Sequence, residues 1–491
     1  MAAIIDRLSS EGPGESAGFL NDIVAQLWPN IDAAGSKMIK DIVDPMFKTM
    51  LPGPLATLHF THVELGDVPF KFSDVRVTKT PLDGIKLDLQ VNWAGKCDIE
   101  LDADMFPKVG VKSVELHGRL SVLLCPLTNV IPLIGAAQVA FVNPPELKLD
   151  FTGAANIADF SVLDNAVRKV ILSVINGMFT LPNRFLVKMD SNADYFKTYH
   201  YPLGVVRVTV DKAWGFAEEA QSKAKKLLSK LTRASPDCYA TVQVGAEEEW
   251  RTTTKNNTTT PAWGETHDFV VSDFDQLIVA NVHDHDVGSD DHVGLATVSV
   301  KDILLAGGKK ELAMVYPGGE ETGGRIALSA EFFEFAPEDS SFSASSHKGD
   351  DKLCGVLSVL VAGALGIKGP REELKPSIVV TWGDKHRFQT AVKADAPGTD
   401  INNPSFDQQF RIPLTSDLVG SSAAPLRIAC LNGEQEVGSV EIPFADVLKA
   451  PEQVLQDQFD LGNGTKVRAC FTLRGVKAAK LSDTALPTRE K

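Results

Sequence analysis

The chain has 491 residues, of which 44% are hydrophobic and 23% are charged, and its formal net charge is -15 at pH 7. At about 100–200 residues per domain, this length predicts three domains with separate cores. The excess of 64 acidic over 49 basic residues argues against a nucleic-acid partner. The 6 cysteines are far apart and form no CxxC pair, which favours a reducing compartment and argues against a zinc site.

One uncharged run, LSVLLCPLTNVIPLIGAAQVAFV at residues 120–142, is long enough to cross a bilayer as a helix. Pro126 and Pro132 would break that helix, however, and Asn129 and Gln138 would place amides near the bilayer centre. We instead interpret the run as two strands joined by a turn that the prolines bound. The amino-terminal MAAIIDRLSS is too short and too polar for a signal peptide. We therefore expect a soluble chain without a transmembrane segment, whose contact with membranes is peripheral.

Two amphipathic helices are predicted in the first 200 residues. Residues 19–47 carry apolar side chains at helical spacing, with Ser16 at the expected N-cap position and Pro29 predicting a kink or a break. The second helix is predicted at residues 159–179, where an apolar stripe repeats every three or four residues.

Between these helices, residues 57–151 change to a period of two. Segments 85–93 and 114–122 alternate apolar residues with charged or polar ones. They predict strands with one face in water and one buried face. Helix, long strands and helix together predict an α+β domain that ends near residue 200.

After residue 202 the sequence is typical of short strands joined by turns. GVVRVTVDKAWGF at 204–216 and GVLSVLVAGALGI at 355–367 begin two similar stretches, which predicts diverged copies of one β-sandwich module. Residues 336–351 between them are polar and serine-rich, as in a linker, and residues 476–491 form a polar tail.

A cluster of acidic residues marks the loop HDHDVGSDDHVG at 283–294, between two predicted strands. Calcium takes six to eight oxygen ligands, and converging carboxylates on a loop supply them. The alternative is a solvated acidic turn. A second loop, SPDCY, places another aspartate just before a strand, so the candidate calcium ligands are Asp237, Asp284, Asp286, Asp290 and Asp291.

SPDCY, TTTKNNTTTPAWGETHDF (252–269) and LIVANVHDHDVGSDDHVG (277–294) together resemble a C2 domain. Trp263 and Glu265 match the NPxWxE-type pattern of such domains, and the acidic loop is similar to that of extended synaptotagmins. In the first copy the family's earlier aspartate falls near Ala220, beside two glutamates, so the resemblance implies weaker or fewer calcium ions than a full site. In the second copy neither loop offers an aspartate, and we expect no calcium there.

The first domain strengthens the resemblance. FLNDIVAQLWPNI, FTHVELGDVPF, NWAGKCDIEL, PLIGAAQVAFVNPPELKLDFTGAANI and LPNR are similar to the synaptotagmin-like mitochondrial lipid-binding (SMP) domain of extended synaptotagmins, tricalbins and plant synaptotagmins. The similarity covers residues 16–475 in the same domain order. It implies a multidomain chain, an α+β SMP half-tube of the TULIP-like kind followed by two all-β C2 sandwiches. The family's usual amino-terminal membrane hairpin is not found in this sequence.

The resemblance also implies domain boundaries and a lipid groove. We place a flexible terminus at 1–15, the SMP domain at 16–200, the C2 domains at 203–335 and 352–475, the linker at 336–351 and a flexible tail at 476–491. The groove should be lined by aliphatic side chains with lipid head groups left in water. Its candidate residues are Leu87, Leu89, Val91, Leu116, Leu120, Val122, Leu133, Ile134, Val139, Phe141, Val167, Ile171 and Ile175.

A basic segment, AEEAQSKAKKLLSKLTRA at 217–234, precedes SPDCY. Read as an amphipathic helix, it predicts contact with an anionic membrane surface, or equally an exposed helix that packs its leucines on the sandwich. The basic residues of this segment are Lys223, Lys225, Lys226, Lys230 and Arg233.

One short motif matches a pattern found in hydrolases. GESAG at 14–18 fits GxSxG, but coil precedes it where a hydrolase has a strand, and Ser16 suits a helix cap better. We expect no enzyme. His283 and His285 flank the acidic loop and form no ligand pair of the HExxH kind.

The sequence thus predicts a non-enzymatic lipid transfer protein that moves glycerophospholipids between membranes at contact sites and docks through calcium on its first C2 domain. The alternative is a calcium-responsive tether or adaptor without lipid transfer, and a lipid hydrolase ranks last. Expected partners are glycerophospholipids, anionic membrane surfaces and a second copy bound through the SMP domain. The expected location is peripheral, on the cytoplasmic face of endoplasmic reticulum contact sites with the plasma membrane or another organelle.

Overall fold

The structure is a computed structural model of the chain, which divides into two compact units at residues 1–200 and 201–488. It describes residues 17–80, 84–104, 106–152, 160–190, 202–215, 235–285, 290–336, 353–384, 386–395, 400–416, 418–419 and 424–479.

A seven-stranded antiparallel sheet forms the frame of the first unit. Its strands are β1 (His59–Glu64), β2 (Lys71–Thr80), β3 (Gly84–Ala103), β4 (Phe106–Leu124), β5 (Ala136–Phe141), β6 (Glu146–Thr152) and β7 (Phe185–Lys188). The path through the sheet is β1-β3-β4-β5-β7, with β2 paired to β3 and β6 paired to β4. The sheet is curled as a half-barrel. Since β3 and β4 have 20 and 19 residues, they extend well past their shorter neighbours.

Two helices accompany this sheet, α1 (Gly18–Met50) and α2 (Phe160–Phe179), close to the predicted positions. Helix α1 continues through Pro29, so the predicted break does not occur. The N-cap residue of α1 is Ala17, which makes no side-chain cap, and the predicted cap Ser16 lies outside the described residues. A short 3-10 helix follows α1 at Gly53–Thr57.

An aromatic cluster fixes α1 to the sheet. The ring of Trp28 lies 5.1 Å from Phe70 and 6.0 Å from Trp93, measured between centroids. Each indole N–H also has a partner, because Trp28 donates to the carbonyl of Gly66 at 2.5 Å and Trp93 donates to that of Val68 at 2.7 Å. Buried indoles usually need such an acceptor, so this cluster stabilises the helix in one position.

The predicted alternation along β3 and β4 is confirmed, but the expectation of a face in water is wrong at its centre. Asp88 is only 8% exposed and Ser121 is fully buried. The Asp88 carboxylate lies 3.3 Å from Lys86 Nζ and 3.4 Å from Arg119 Nη2. Two cations that flank one carboxylate offset the cost of removing it from water.

The uncharged run at residues 120–142 forms the end of β4, a turn and strand β5, as predicted. Within the turn, an isolated bridge pairs Leu127 with Ile134. Across the described part of the chain, no helix has the length and hydropathy needed to cross a membrane.

The second unit begins with a β-sandwich. Its elements are β8 (Gly204–Trp214), β9 (Cys238–Val244), β10 (Trp250–Arg251), β11 (Ala262–Val271), β12 (Leu277–Asp284), β13 (Asp291–Ser299), α3 (Val300–Leu305), β14 (Lys309–Val315) and β15 (Glu321–Phe335). One layer has the order β11-β8-β15-β14 and the other has the order β10-β9-β12-β13. Their inner faces meet in a core that includes Val208, Val210, Ile278 and Ile326.

A second sandwich repeats this plan. Its elements are β16 (Leu353–Leu365), β17 (Pro376–Trp382), β18 (His386–Gln389), β19 (Ser405–Thr415), β20 (Leu426–Asn432), β21 (Gln435–Ile442), α4 (Phe444–Lys449), β22 (Val454–Asp460) and β23 (Lys466–Ala479), with 3-10 turns at Arg371–Glu373 and Pro451–Gln453. The layers are β19-β16-β23-β22 and β18-β17-β20-β21. Strands β16 to β23 thus take the same places, in the same order, as β8 to β15 in the first sandwich. The prediction of two diverged copies is confirmed.

The two sandwiches share a buried ion pair and a strand pairing. Residues 332–335 of β15 pair antiparallel with residues 476–479 of β23. Arg411, whose side chain is 2% exposed, places Nη2 2.7 Å from Glu247 Oε1 and donates through Nη1 to Ser272 Oγ at 2.7 Å. Burial raises the pKa of Glu247, so its ionised form depends on Arg411.

We predict that Arg411→Met destabilises the second unit, because it leaves the half-buried Glu247 carboxylate without a cation. Breaking a buried pair from one side costs about 3–5 kcal/mol. The free energy of unfolding in urea, followed for the second unit within the full chain, measures this loss.

The control is Arg427→Met, which removes a surface ion pair with Glu436. The Arg427 side chain is 35% exposed and the Glu436 side chain 43%. Such surface pairs contribute about 1 kcal/mol or less. Equal losses in the two variants would contradict the interpretation.

Candidate lipid-binding face and calcium loops

A straight row of apolar side chains crosses five strands of the first unit's sheet. In register, Val77 of β2 lies opposite Leu87 of β3, which lies opposite Val122 of β4, then Val139 of β5 and Phe185 of β7. Directly paired residues point to the same face of a sheet. All five are half-buried, so the row, which we name the apolar row, presents aliphatic and aromatic surface that the protein covers only in part.

A second row runs beside the apolar row, toward the end of β4. It consists of Ile85, Leu124, Ala137 and Val187, again paired strand by strand. Val187 is 42% exposed, while Ile85 and Leu124 are half-buried. The partly covered surface therefore widens toward this edge of the sheet.

On the other side of the apolar row the protein covers the same face more fully. Leu89, Val91 and Phe141 are buried, and Leu116 and Leu120 are half-buried. These predicted groove residues all lie on the face of the apolar row, since Leu89 pairs with Leu120 and Leu120 pairs with Phe141. The structure thus brings the predicted residues of β3, β4 and β5 together on one face.

Helix α2 lies over this face. Its last residue, Phe179, stacks on Phe185 of the apolar row with 4.9 Å between ring centroids. Farther back along the helix, Arg168 Nη1 donates to the carbonyl of Leu147 at 2.5 Å, and Leu147 pairs with Leu116. The helix therefore passes from β6 to β7 across the sheet.

The apolar stripe of α2 becomes more exposed to solvent toward the carboxyl end of the helix, as the sheet face does toward β7. Val167 is buried, whereas Ile171 and Ile175, one and two turns later, are half-buried. Sheet and helix together leave a strip of aliphatic side chains with partial access to solvent.

Two predicted groove residues lie outside the sheet. Leu133 is in the turn after β4, where it is 49% exposed and has a left-handed backbone with φ of 74°. Ile134 is half-buried in the same turn. The structure therefore places Leu133 in the turn, before the strand resumes at Ala136, and not in the paired rows of the sheet.

Val77 and Phe185 belong to the apolar row, but sequence reasoning missed them. Strands β2 and β7 lie at the margins of the sheet, and only their pairing with β3 and β5 places these two side chains in line. The signal that was present is the alternation of apolar Val75 and Val77 with charged neighbours in β2.

Two predicted calcium ligands meet at one end of the first sandwich. Asp237 precedes β9 and Asp284 ends β12, and the Asp237 N–H donates to Asp284 Oδ1 at 2.8 Å. Asp237 Oδ1 accepts from the backbone N–H of Asn257 at 2.7 Å. Burial, followed by the charges of these two carboxylates, raises the pKa of Cys238 to about 12, so this thiol stays protonated.

The carboxylate of Asp290 is held by two side chains. Tyr239 Oη donates to Asp290 Oδ2 at 2.6 Å, and His285 Nδ1 lies 2.9 Å from Oδ1. The hydrogen bond from Tyr239 holds the pKa of Asp290 below its usual value. Burial and the same hydrogen bond raise the pKa of Tyr239 to about 12. The guanidinium of Arg251, 3.5 Å from the centre of the Tyr239 ring, keeps a cation beside this pair.

The remaining predicted ligands are only partly described. Asp291 begins β13 and pairs with Asp284, while Asp286 lies outside the described residues. Among the residues that the structure describes, no group of three or more His, Cys, Asp or Glu side chains is arranged to hold a metal. Asp237 and Asp284, which lie side by side, could supply some of the six to eight oxygen ligands that calcium takes. The basic segment at 217–234, with its five predicted membrane contacts, lies outside the described residues.

Trp263 and Glu265 stabilise the backbone next to the candidate calcium loops. Trp263 Nε1 donates to the carbonyl of Thr253 at 3.0 Å. Glu265 accepts from the Thr253 N–H at 2.8 Å and from its hydroxyl, and it lies 3.4 Å from Lys255 Nζ. Because Lys255 pairs with Cys238, this network supports the backbone beside Asp237.

The second sandwich differs at the corresponding end. Strands β20 and β21 are joined through Gly433, with a φ of 61°, and Glu434 only. A turn this short has no room for the acidic loop that joins β12 to β13.

Family models match three parts of the chain. Residues 13–190 match the synaptotagmin-like mitochondrial-lipid-binding domain, and residues 218–314 and 355–461 each match the C2 domain. The protein is therefore of the multidomain class in which an SMP domain precedes C2 domains.

Curated relatives and a solved structure narrow this class. Extended synaptotagmin-1 of Mus musculus is 29% identical over 467 residues, covering 91% of this chain and 41% of the relative. Extended synaptotagmin-2 of Homo sapiens is 25% identical over 463 residues, covering 91% and 48%. The SMP, C2A and C2B domains of extended synaptotagmin 2 superpose with a TM-score of 0.62 at 21% identity, covering 95% of this chain and 100% of that one, which shows the shared fold. The chain is homologous to the extended synaptotagmins and spans less than half the length of these two relatives.

We predict that Tyr239→Phe raises the pKa of Asp290, because the variant removes the hydroxyl that stabilises the ionised carboxylate. The phenyl ring still lies beneath Arg251, so packing is retained. A carbon-detected NMR titration of aspartate carboxyl groups measures the shift. The control is Thr266→Val, which removes an exposed hydroxyl elsewhere on the first sandwich and should leave the pKa of Asp290 unchanged. An unchanged pKa of Asp290 in Tyr239→Phe would show that the tyrosine hydroxyl does not stabilise the ionised carboxylate.

Proposed function

We propose that the protein is a non-enzymatic lipid transfer protein that carries glycerophospholipids between membranes at contact sites. The apolar row is the observation that supports this most strongly. A fully packed protein would cover five aligned apolar side chains, whereas here all five stay half-buried. An acyl chain laid along them would remove that surface from water.

The energetics of such binding favour lipid. Each methylene of an acyl chain that leaves water contributes about 0.8 kcal/mol. A charged head group gains nothing by entering this strip and stays in water. The SMP match to residues 13–190, which contain the whole row, supports the same ligand class.

We propose that calcium docks the first C2 domain on anionic membranes. Asp237 and Asp284 supply converging carboxylates, with Asp286, Asp290 and Asp291 as further ligands. Calcium bound there would cancel the negative charge of the loops and let anionic lipid approach. Asp290 would first have to leave Tyr239 and His285, which accords with a weaker site.

The remaining features of this proposal concern place and assembly. We propose a peripheral protein at endoplasmic reticulum contact sites, a homodimer formed through the SMP domain, a second C2 domain without calcium, and a basic segment that meets anionic lipid. The homology to extended synaptotagmins supports these features as a set. The proposed domain limits remain those inferred from the sequence, and the matched ranges accord with their order.

Lipid transfer tests the main proposal. Leu87→Trp and Val122→Trp would each fill the strip with a large side chain, and we expect transfer of a fluorescent glycerophospholipid between liposomes to slow about tenfold. Native mass spectra of the purified wild-type chain should show bound phospholipid, and both variants should show less. The control is Val392→Trp, at a 54% exposed position of the second sandwich.

A wild-type chain that carries no lipid and transfers none would overturn the proposal. Liposome clustering by calcium that persists in both tryptophan variants, without transfer in the wild type, would favour a tether instead. Circular dichroism confirms that each variant is folded.

Calcium dependence tests the docking step. Asp284→Asn removes a charge at the meeting point of β9 and β12, and we expect the calcium midpoint for co-sedimentation with phosphatidylserine vesicles to rise by about tenfold or more. Asp457→Asn, an exposed position on β22, should leave the midpoint unchanged. If Asp284→Asn behaves like this control, calcium does not bind at the proposed loops.

A further inference from the structure

Large exposed apolar side chains gather at one end of the first unit. Val130 is 66% exposed, Ile131 88%, Leu133 49%, Val187 42% and Met189 45%. We name these five residues the apolar tip. They are five of only twelve large apolar side chains with such exposure among the described residues, so the grouping is not an even scatter.

Backbone contacts bring the parts of the apolar tip together. The N–H of Met189 donates to the carbonyl of Gly135 at 2.9 Å, and Val187 lies opposite Ala137 in the sheet. The end of β7 is therefore fastened to the base of the turn that carries Val130, Ile131 and Leu133.

The turn satisfies much of its own backbone hydrogen bonding. Thr128 N–H donates to the carbonyl of Leu133 at 2.8 Å, Leu133 N–H to that of Val130 at 2.6 Å, and Gly135 N–H to that of Pro126 at 2.8 Å. Pro126 and Pro132 have no N–H to satisfy. These groups keep their partners when water is removed, which is what backbone must do to enter lipid.

The size and chemistry of the apolar tip favour a bilayer over a protein partner. A stable protein interface buries about 800 Å² and 20–30 residues on each side, with about ten hydrogen bonds. The apolar tip has five residues, and residues 120–143 carry no charge. A bilayer interface asks only for apolar side chains that reach about 5–10 Å into it.

The apolar tip is also continuous with the apolar row. The second row of the sheet face, Ile85, Leu124, Ala137 and Val187, lies between them and shares Val187 with the tip. On this face, aliphatic surface therefore leads from the turn to the middle of the sheet. The charged neighbour Lys188 pairs with Ala136 and so lies on the opposite face.

We propose that the apolar tip inserts into the interfacial region of a phospholipid bilayer, and that this places the end of the lipid-binding strip in the membrane. Lipid then passes between bilayer and sheet along one apolar surface. The second part of this statement rests on the proposed lipid transfer function, whereas the insertion itself does not.

A fluorescent probe tests insertion directly. All six cysteines are buried, so a thiol-reactive nitrobenzoxadiazole dye will label an introduced Ile131→Cys selectively. With vesicles of phosphatidylcholine and phosphatidylserine, the full chain should show a blue shift and a severalfold gain in emission, and spin-labelled lipids should quench it. The matched control is Val392→Cys, an exposed valine outside the apolar tip, whose label should not change.

Two results would overturn insertion. One is an unchanged Ile131→Cys label on vesicles that co-sediment with the protein. The other is a blue shift without vesicles that grows with protein concentration, because that would show a second copy covering the apolar tip.

Transfer kinetics separate this inference from the proposed function. Val130→Ser combined with Ile131→Ser should slow transfer about tenfold while the phospholipid seen by native mass spectrometry stays at the wild-type level. An unchanged transfer rate would show that the tip does not deliver lipid. If wild-type chain carries no lipid but the label still inserts, the proposed function fails and the insertion stands.

Discussion

The constraint on which the first unit depends is an apolar sheet face that its own helices cover only in part. The aromatic cluster of Trp28, Phe70 and Trp93 holds α1 at one end, and the stacking of Phe179 on Phe185 holds α2 across the other. With both helices fixed, the apolar row cannot be buried by a small shift of either one. The opposite face is buried only at its centre, where Asp88 lies between two cations. Charged residues farther along β3, such as Lys96 and Glu100, are exposed on that face. The charged face therefore contacts water, whereas the apolar face is only partly covered.

The second unit uses one framework for two kinds of loop. Both sandwiches have the same strand order, yet the first ends in converging aspartates and the second in a two-residue turn. The strands tolerate this divergence because their cores are separate, whereas the junction between them is shared. Arg411 and Glu247 stabilise that junction as a pair, since Arg411 alone would be buried without a counter-charge and Glu247 alone would be half-buried without a cation.

Much of this architecture could be predicted from sequence, because hydrophobic period reports directly on which side chains must leave water. Both helices, the long strands and the repeated sandwich follow from it. The predicted exposure of Asp88 to water is wrong, because its burial depends on cations from two strands. The Ser16 cap lies outside the described residues and stays a prediction. The position of Leu133 relative to the sheet could not be predicted, because it lies in a turn that interrupts the period. The hydrogen bond from Tyr239 to Asp290 could not be predicted from the sequence, because the two residues are close only when β9 pairs with β12.

Strand β23 has a further consequence for biosynthesis. It is the last strand of the second sandwich in the sequence, and it pairs with β16, the first. It also pairs with β15 and so extends the sheet of the first sandwich. A nascent chain therefore exposes β16, nearly all of whose thirteen residues are buried when folded, until β23 has been translated. LCGVLSVLVAGAL carries no charge to keep its edges from pairing with other chains. The topology therefore leaves this uncharged strand without one of its two partner strands until the end of the chain is made, which is when aggregation competes most with folding.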